Sequence, residues 1–320
     1  MYDVVAIGEL LIDFIPCVKS DKGNDLFERN PGGAPANVLA ALSRLGVSTA
    51  FIGKVGNDQF GKYLKDVLDQ YNIDTSALVL TSEAPTTLAF VHLDSSGDRS
   101  FSFYRNPGAD LLLNTGDVDL NIIEKTRVLH FGSVSMTGEP SRSATLKAVL
   151  AAENKGVMIS YDPNLRPRLW RSLSEAKDVI VKGLEYCSVL KVSEEEAEFI
   201  TDESSVCNAS KILSEKWNIP VVLITRGAKG YFFRFGKYTG EGPAYNVNTI
   251  DTTGAGDAFM GAFLYKLVTC RKSINELDCN DINSFCVFAN AAGSLATTKS
   301  GAIFSMPTVS EIMTLINHSG

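Results

Sequence analysis

Short β-branched runs alternate with amphipathic segments over most of the chain, and this alternation restricts the fold more tightly than any other feature. Residues 2–8 (YDVVAIG) read as a buried strand. Residues 35–45 carry Val38, Leu39, Leu42 and Leu45 at helical spacing, with Gly46 as a stop. The same pattern predicts strands at 48–55, 127–131, 157–161, 189–192 and 221–225, and helices at 58–71, 141–154, 173–184 and 209–217. Strands joined through helices of that length imply right-handed crossovers and a mostly parallel sheet covered on both faces. The expected fold class is α/β. One segment breaks the rhythm: 87–93 (TLAFVHL) and 99–104 (RSFSFY) both alternate and flank a polar turn at 94–98, which predicts an antiparallel hairpin. With the stretch 13–29 it predicts a small sheet standing off the main body.

Composition excludes several classes. Of 320 residues, 45% are hydrophobic and 21% charged, which rules out a disordered tail, a collagen-like fibre and a disulfide-built miniprotein. No stretch approaches the ~18–20 uninterrupted apolar residues of a membrane span. The start, MYDVVAIGELLIDF, has no basic region before its apolar run and does not read as a secretory signal. A net charge of −7 offers no basic surface for nucleic acid. The six cysteines form no CxxC pair and there are three histidines, so a zinc site is not expected. The cysteines read as reduced, mostly buried thiols of a cytoplasmic protein. With no internal repeat or linker, residues 1–320 are expected to form a single domain.

A parallel α/β sheet invites phosphate motifs. No GxGxxG follows the first strand, so the dinucleotide fingerprint is absent. Residues 56–63 (GNDQFGKY) nearly spell a Walker A loop, with Gly61 and Lys62 in place. Tyr63 stands where that loop needs Ser or Thr for Mg2+, so the stretch reads as a turn into a helix.

The strongest constellation is 251–259 (DTTGAGDAF), which leads directly into the apolar run 258–268. Gly254, Ala255 and Gly256 leave the backbone bare where a helix begins, so N–H groups face outward at the positive end of its dipole. That is an anion site built without lysine. Asp257 at the same mouth can take a proton from a hydroxyl while the amides hold charge moving onto a phosphoryl group. An isolated Asp there would read as a cap, but the two glycines and two upstream threonines favour the anion site. Residues 32–37 (GGAPAN) allow a ligand close to the backbone, although Pro35 in a first helical turn also describes an ordinary turn. Asp13, in the apolar context LLIDFIP, needs a partner, which sugar hydroxyls or an arginine can supply. Residues 162–170 (DPNLRPRLW) follow a strand's carboxyl end, where Arg166 can meet phosphate or carboxylate bidentately and Arg168 reads as a surface residue. Residues 225–230 (TRGAKG) read equally as a phosphate loop and as a hairpin turn to 231–235.

GGAPAN near the start and DTTGAGDAF near the end resemble the two signatures of the ribokinase-like carbohydrate kinases, and the resemblance spans residues 8–307. Within that family GGAPAN, FYRNPGADLLL (103–113) and DPNLRPRLW are most similar to fructokinases. The resemblance implies a three-layer α/β/α core with a mostly parallel central sheet and a small β-sheet lid, formed by roughly 13–30 and 86–107. It implies ATP, Mg2+ and transfer of the γ-phosphoryl group to a sugar hydroxyl. By the same resemblance Asp257 is the base, and the amides of Gly254, Ala255, Gly256 and Asp257 form the anion hole. Asp13, Gly32, Gly33 and Asn37 hold sugar hydroxyls, with Arg105 and Arg166 near the sugar or its phosphates. Lys191, Ser193, Thr225, Gly227, Gly230 and Asn290 match nucleotide-binding positions. Glu196 is expected to organise Mg2+ through water, while Asp251, Thr253, Ala296, Lys299, Gly301 and Ser305 match a site for a monovalent cation such as K+. Ser193 departs from the Asn of the family's Asn-x-x-Glu pattern and reaches less far, and Glu194 and Glu195 read as the acidic first turn of a helix.

The resulting expectation is an ATP-dependent fructokinase making fructose 6-phosphate. The alternatives are a 2-keto-3-deoxygluconate kinase, which needs an extra cation for its substrate's carboxylate, and a non-catalytic sugar-binding regulatory protein. A nucleoside kinase would need an aromatic pair to sandwich a base. The expected partners are a sugar, ATP and a second copy of the chain, with no nucleic acid and no membrane. The apolar residues Leu88, Phe90, Val91, Phe101 and Phe103 predict a homodimer formed through the lid.

Overall fold

The first strand, Tyr2–Ile7, divides its apolar side chains between two cores. Val4 and Ala6 enter one buried cluster, and Val5 and Ile7 the other. That division is what the two-residue period of a strand gives when both faces of a sheet are covered. The computed structural model describes residues 1–93 and 99–318. Its main sheet has ten strands in the order Tyr238–Gly242, Tyr231–Phe235, Val221–Thr225, Val189–Ser193, Met158–Asp162, Thr126–Gly132, Tyr2–Ile7, Thr49–Gly56 and Ile73–Asp74, with Leu78–Thr81 also paired to Thr49–Gly56. Pairing is parallel from Val221–Thr225 onward and antiparallel only at the Tyr231–Phe235 and Tyr238–Gly242 edge.

Helices Ala34–Arg44, Gln59–Gln70, Ala255–Thr269 and Cys279–Ala296 cover one face, and Ser141–Asn154, Leu173–Leu184 and Val206–Trp217 the other. This is the three-layer α/β/α arrangement. The helix predicted at 209–217 starts three residues earlier, at Val206, because the Ser205 hydroxyl accepts the Asn208 N–H and caps it there. The near-Walker stretch is a turn into helix Gln59–Gln70, capped by Asp58.

A separate four-stranded sheet has the order Phe27–Gly32, Leu11–Pro16, Leu88–Leu93 and Arg99–Tyr104. The last two strands pair antiparallel, and the turn expected at 94–98 lies outside the described residues. Alternation gives this sheet two unlike faces. Leu11, Asp13, Ile15, Val91 and Phe103 face a cleft above the main sheet. On the other side Phe14 stacks on Phe90 at 4.7 Å, and Phe90 meets Phe27 and Tyr104 edge-on at 5.6 and 5.4 Å.

The expectation of mostly buried cysteines is corrected. Cys187 and Cys286 are buried, but Cys17 and Cys207 are exposed and Cys270 and Cys279 lie between. Cys17 follows the end of an outlying strand, and Cys207 sits in the exposed first turn of its helix. Among the described residues no group of three or more His, Cys, Asp or Glu side chains is arranged to hold a metal, and no helix is long and apolar enough to cross a membrane.

Candidate active site

Two cavities lie side by side at the carboxyl ends of the parallel strands, where open α/β sheets hold their ligands. The smaller, about 310 Å3, lies under the separate sheet. The larger, about 580 Å3, runs between the 225–230 turn and helices Ala255–Thr269 and Cys279–Ala296. Thr252 and Gly256 line both, so the wall between them is the start of helix Ala255–Thr269.

That helix starts where it does because Gly254 adopts a left-handed conformation, φ 79°, and a Cβ there would stand 2.8 Å from that of Ala302. The first bond along the helix runs from the Ala258 N–H to the Gly254 carbonyl at 2.8 Å, which leaves the Gly256 and Asp257 amides without a helical acceptor. The part expected of Ala255 in the anion hole is corrected, because its N–H is donated to the Thr252 carbonyl at 3.3 Å. A Cβ on Gly256 would stand 2.9 Å from Lys191 Nζ, so the bare backbone lets that ammonium lie at the helix mouth. Lys191 donates to Asp162 Oδ2 at 2.9 Å. Burial works against its charge, but the carboxylates of Asp162, Glu196 and Asp257 outweigh burial and raise its pKa.

The smaller cavity gathers acids. Asp257 Oδ2 accepts a hydrogen bond from Asn37 Nδ2 at 2.7 Å. Burial pushes the Asp257 pKa up to about 6, with Asp162 adding and Lys191, Asn37 and Arg166 opposing. Burial pushes Asp13 to about 7 against the pull of Arg166, which lines the same cavity. The paired glycines make this crowding possible. A Cβ on Gly32 would overlap the Asp13 carboxylate, and one on Gly33, at φ 114°, would overlap the Glu9 carbonyl.

Arg105 is a correction. It is buried but absent from the cavity wall, because Asp110 takes its guanidinium at 2.6 Å while Thr137 Oγ1 and the Val134 carbonyl accept at 2.8 and 3.1 Å. Ser193 is also a correction, since its hydroxyl accepts the Glu196 N–H and caps helix Glu194–Thr201, and it lines neither cavity. Glu196 completes that capping box and also accepts the Leu165 N–H at 2.6 Å. Burial raises its pKa while the nearby Lys191 opposes. Asp162 Oδ1 is buried without a partner and suits a hard divalent ion, whereas both Glu196 oxygens accept backbone amides, from Leu165 and Ser193, which fits a water-mediated part for Glu196.

Thr225, Gly227, Gly230 and Asn290 line the larger cavity. The 225–230 turn is also a hairpin, since Val221–Thr225 pairs antiparallel with Tyr231–Phe235. Sequence reasoning missed Asn246, Val247, Thr249, Gly293, Ser294 and Thr297 on this wall, and nothing in such small or neutral residues marks them. It also missed Glu9 and Asn164 in the smaller cavity. Glu9 had a signal, an acid just past the end of a buried strand.

The residues expected at a monovalent-cation site come from the 251–253 loop and from the end of helix Cys279–Ala296 with the segment that follows it. The Ile250 and Asp251 amides donate to the Thr297 carbonyl at 2.7 and 3.1 Å, and the Asp251 carboxylate accepts from the Thr253 and Gly301 amides at 2.8 and 3.2 Å. Ala296 and Ser305 are buried. The Lys299 side chain turns outward to Glu311 at 3.3 Å, so its part in such a site would be through its backbone carbonyl.

The family model for pfkB carbohydrate kinases matches residues 1–309. Fructokinase-1 of Zea mays is 42% identical over 317 residues, covering 98% of this chain and 97% of that one. The crystal structure of a fructokinase from Xylella fastidiosa with bound ATP aligns with a TM-score of 0.92 at 34% identity, over 100% of this chain and 99% of that one. A fructokinase double mutant from Vibrio cholerae O395, in a form with bound fructose, ADP and potassium ion, aligns with a TM-score of 0.89 at 32% identity over 98% of each chain.

Proposed function

The chain belongs to the pfkB family of carbohydrate kinases, and from that premise we propose that it is an ATP-dependent fructokinase, transferring the γ-phosphoryl group of ATP to the primary hydroxyl of D-fructose to give D-fructose 6-phosphate. One observation carries the reading. Asp257, held by Asn37, stands at a wall shared by an acid-lined cavity and a backbone-lined one. The sugar occupies the smaller cavity and ATP the larger, so the attacking hydroxyl and the phosphoryl group meet beside Gly256.

Asp257 removes the hydroxyl proton as the oxygen attacks phosphorus. A pKa near 6 leaves it ionised at neutral pH yet more basic than an exposed Asp. The Gly256 and Asp257 amides and the Lys191 ammonium face the charge that develops on the phosphoryl oxygens. Leu11, Ile15, Val91 and Phe103 line the sugar cavity with apolar surface that excludes water when the separate four-stranded sheet closes as a lid. Asp162, with Glu196 through water, would hold Mg2+, which supplies charge neutralisation on the nucleotide phosphates when bound. Asp251 and the carbonyls of the 296–305 loop would hold K+.

A 2-keto-3-deoxygluconate substrate is disfavoured by the same geometry. Its carboxylate would enter a cavity where Glu9, Asp13 and Asp257 outnumber Arg166 and Lys191, Lys191 is paired with Asp162, and Arg105 is committed to Asp110, which leaves Arg166 as the cation for it. The reading extends to one domain over 1–320 and to a cytoplasmic protein, in keeping with six free cysteines. It also extends to a homodimer through the aromatic outer face of the lid, where Tyr104 is 67% exposed. A coupled assay of ADP release against fructose, glucose, ribose and 2-keto-3-deoxygluconate tests the activity. Release that depends on fructose supports it, and sugar binding without turnover overturns it.

A further inference from the structure

Glu9 follows Gly8 at the carboxyl end of the first strand and is 3% exposed, yet it lines the smaller cavity. Its two oxygens are treated unequally. Oε1 accepts the Ala34 N–H at 3.0 Å, while Oε2 is buried with no hydrogen-bond partner. The side chain has little room to turn that oxygen elsewhere. The Glu9 backbone is pressed against Gly33, and Oε1 is fixed to the turn that carries Asn37. Burial pushes the Glu9 pKa up to about 7, with its own backbone N–H, Arg105 and the Ala34 N–H opposing and Asp110 adding. Burying a carboxylate oxygen unpaired is costly, so such an atom marks a place where a donor belongs.

A second orphan shares the cavity. Asn37 Oδ1 is buried without a partner while its Nδ2 serves Asp257. Two unpaired acceptors on one wall call for a ligand with several hydroxyl donors. We propose that Glu9 is a sugar-contacting residue that accepts a hydroxyl through Oε2 and so helps set which hydroxyl pattern the enzyme accepts. This rests on the smaller cavity being the fructose site. Fixing the turn that begins at Gly33 needs only Oε1 and leaves the other oxygen without a purpose.

The full-length enzyme with Glu9→Gln separates the two roles, because Gln keeps an oxygen for Ala34 and replaces the free acceptor with an NH2 donor. The expected result is a fructose KM raised about tenfold or more, the scale of a lost charged hydrogen bond, with the ATP KM within about twofold. Among monodeoxyfructoses, the one that wild type penalises through Glu9 should be penalised less by the variant. A fructose KM within about twofold of wild type, or deoxy penalties all unchanged, overturns the proposal. Glu9→Asp is measured in parallel, and if neither variant folds, Glu9 belongs to the turn alone and the proposal is equally overturned. Failure of wild type to phosphorylate fructose would instead sink the kinase reading.

Discussion

The two cavities sit on opposite sides of one helix start and are built by opposite means. The smaller is lined by three carboxylates, Glu9, Asp13 and Asp257, with Arg166 and Lys191 among them. The larger has no Asp, Glu, Lys or Arg among its lining residues. A neutral polyol gains most from charged acceptors, which make the stronger hydrogen bonds to hydroxyls. A polyphosphate would be repelled by those acids and is better met by amides and a helix dipole. The acid-lined site should therefore be brittle to single side-chain changes, and the backbone-lined site tolerant of them.

The largest effect expected is at the shared wall. Asp257→Asn should lower kcat by at least ~10²-fold while fructose affinity, measured by calorimetry, stays within a few-fold. Turnover close to wild type would remove Asp257 from the chemistry and dissolve the contrast between the sites.

A smaller effect is expected from pH. The base must be ionised to work, and burial holds Asp257 near 6 and Asp13 and Glu9 near 7. At saturating ATP, kcat/KM for fructose should level off only about one unit above pH 7 and fall as pH drops through 7 and then 6, more steeply than about tenfold per unit once more than one of these carboxylates is protonated. A profile flat down to pH 5 would show that these carboxylates are not the working groups.

The smallest effect is expected in the larger cavity. Asn290 donates Nδ2 to the Pro243 carbonyl at 2.8 Å, so it shapes the wall through the backbone. Asn290→Ala should change the ATP KM by less than about threefold, within the range of one neutral hydrogen bond. A loss as large as that at Asp257 would mean that this site too depends on individual side chains.

Much of this was legible in the sequence, and the exceptions share a cause. Val4, Val5, Ala6 and Ile7 announce a strand covered on both faces, and GAGD announces a helix start with bare amides. Arg105 was misread because its letter shows a cation but not its acceptor. Asp110, five residues on in FYRNPGAD, takes it before any ligand can. Ser193 was legible and still misjudged, since Ser193 and Glu196 spell a capping box, and that local bond uses the hydroxyl. The larger cavity was read only in part: Thr225, Gly227, Gly230 and Asn290 were named, but Gly293 and Thr297 look the same in a groove as in any helix.

By itself the sequence determined the layered α/β core, the separate hairpin-bearing sheet and the glycines that open both motifs, because strand and helix periods are written in neighbouring residues. Tertiary structure decided which charges face a ligand and which are spent on one another. Asn37 and Asp257 meet across 220 positions, and no local pattern encodes that bond. The physical reason is that a buried charge takes the nearest partner in space, and nearness in space is settled only once the layers have packed.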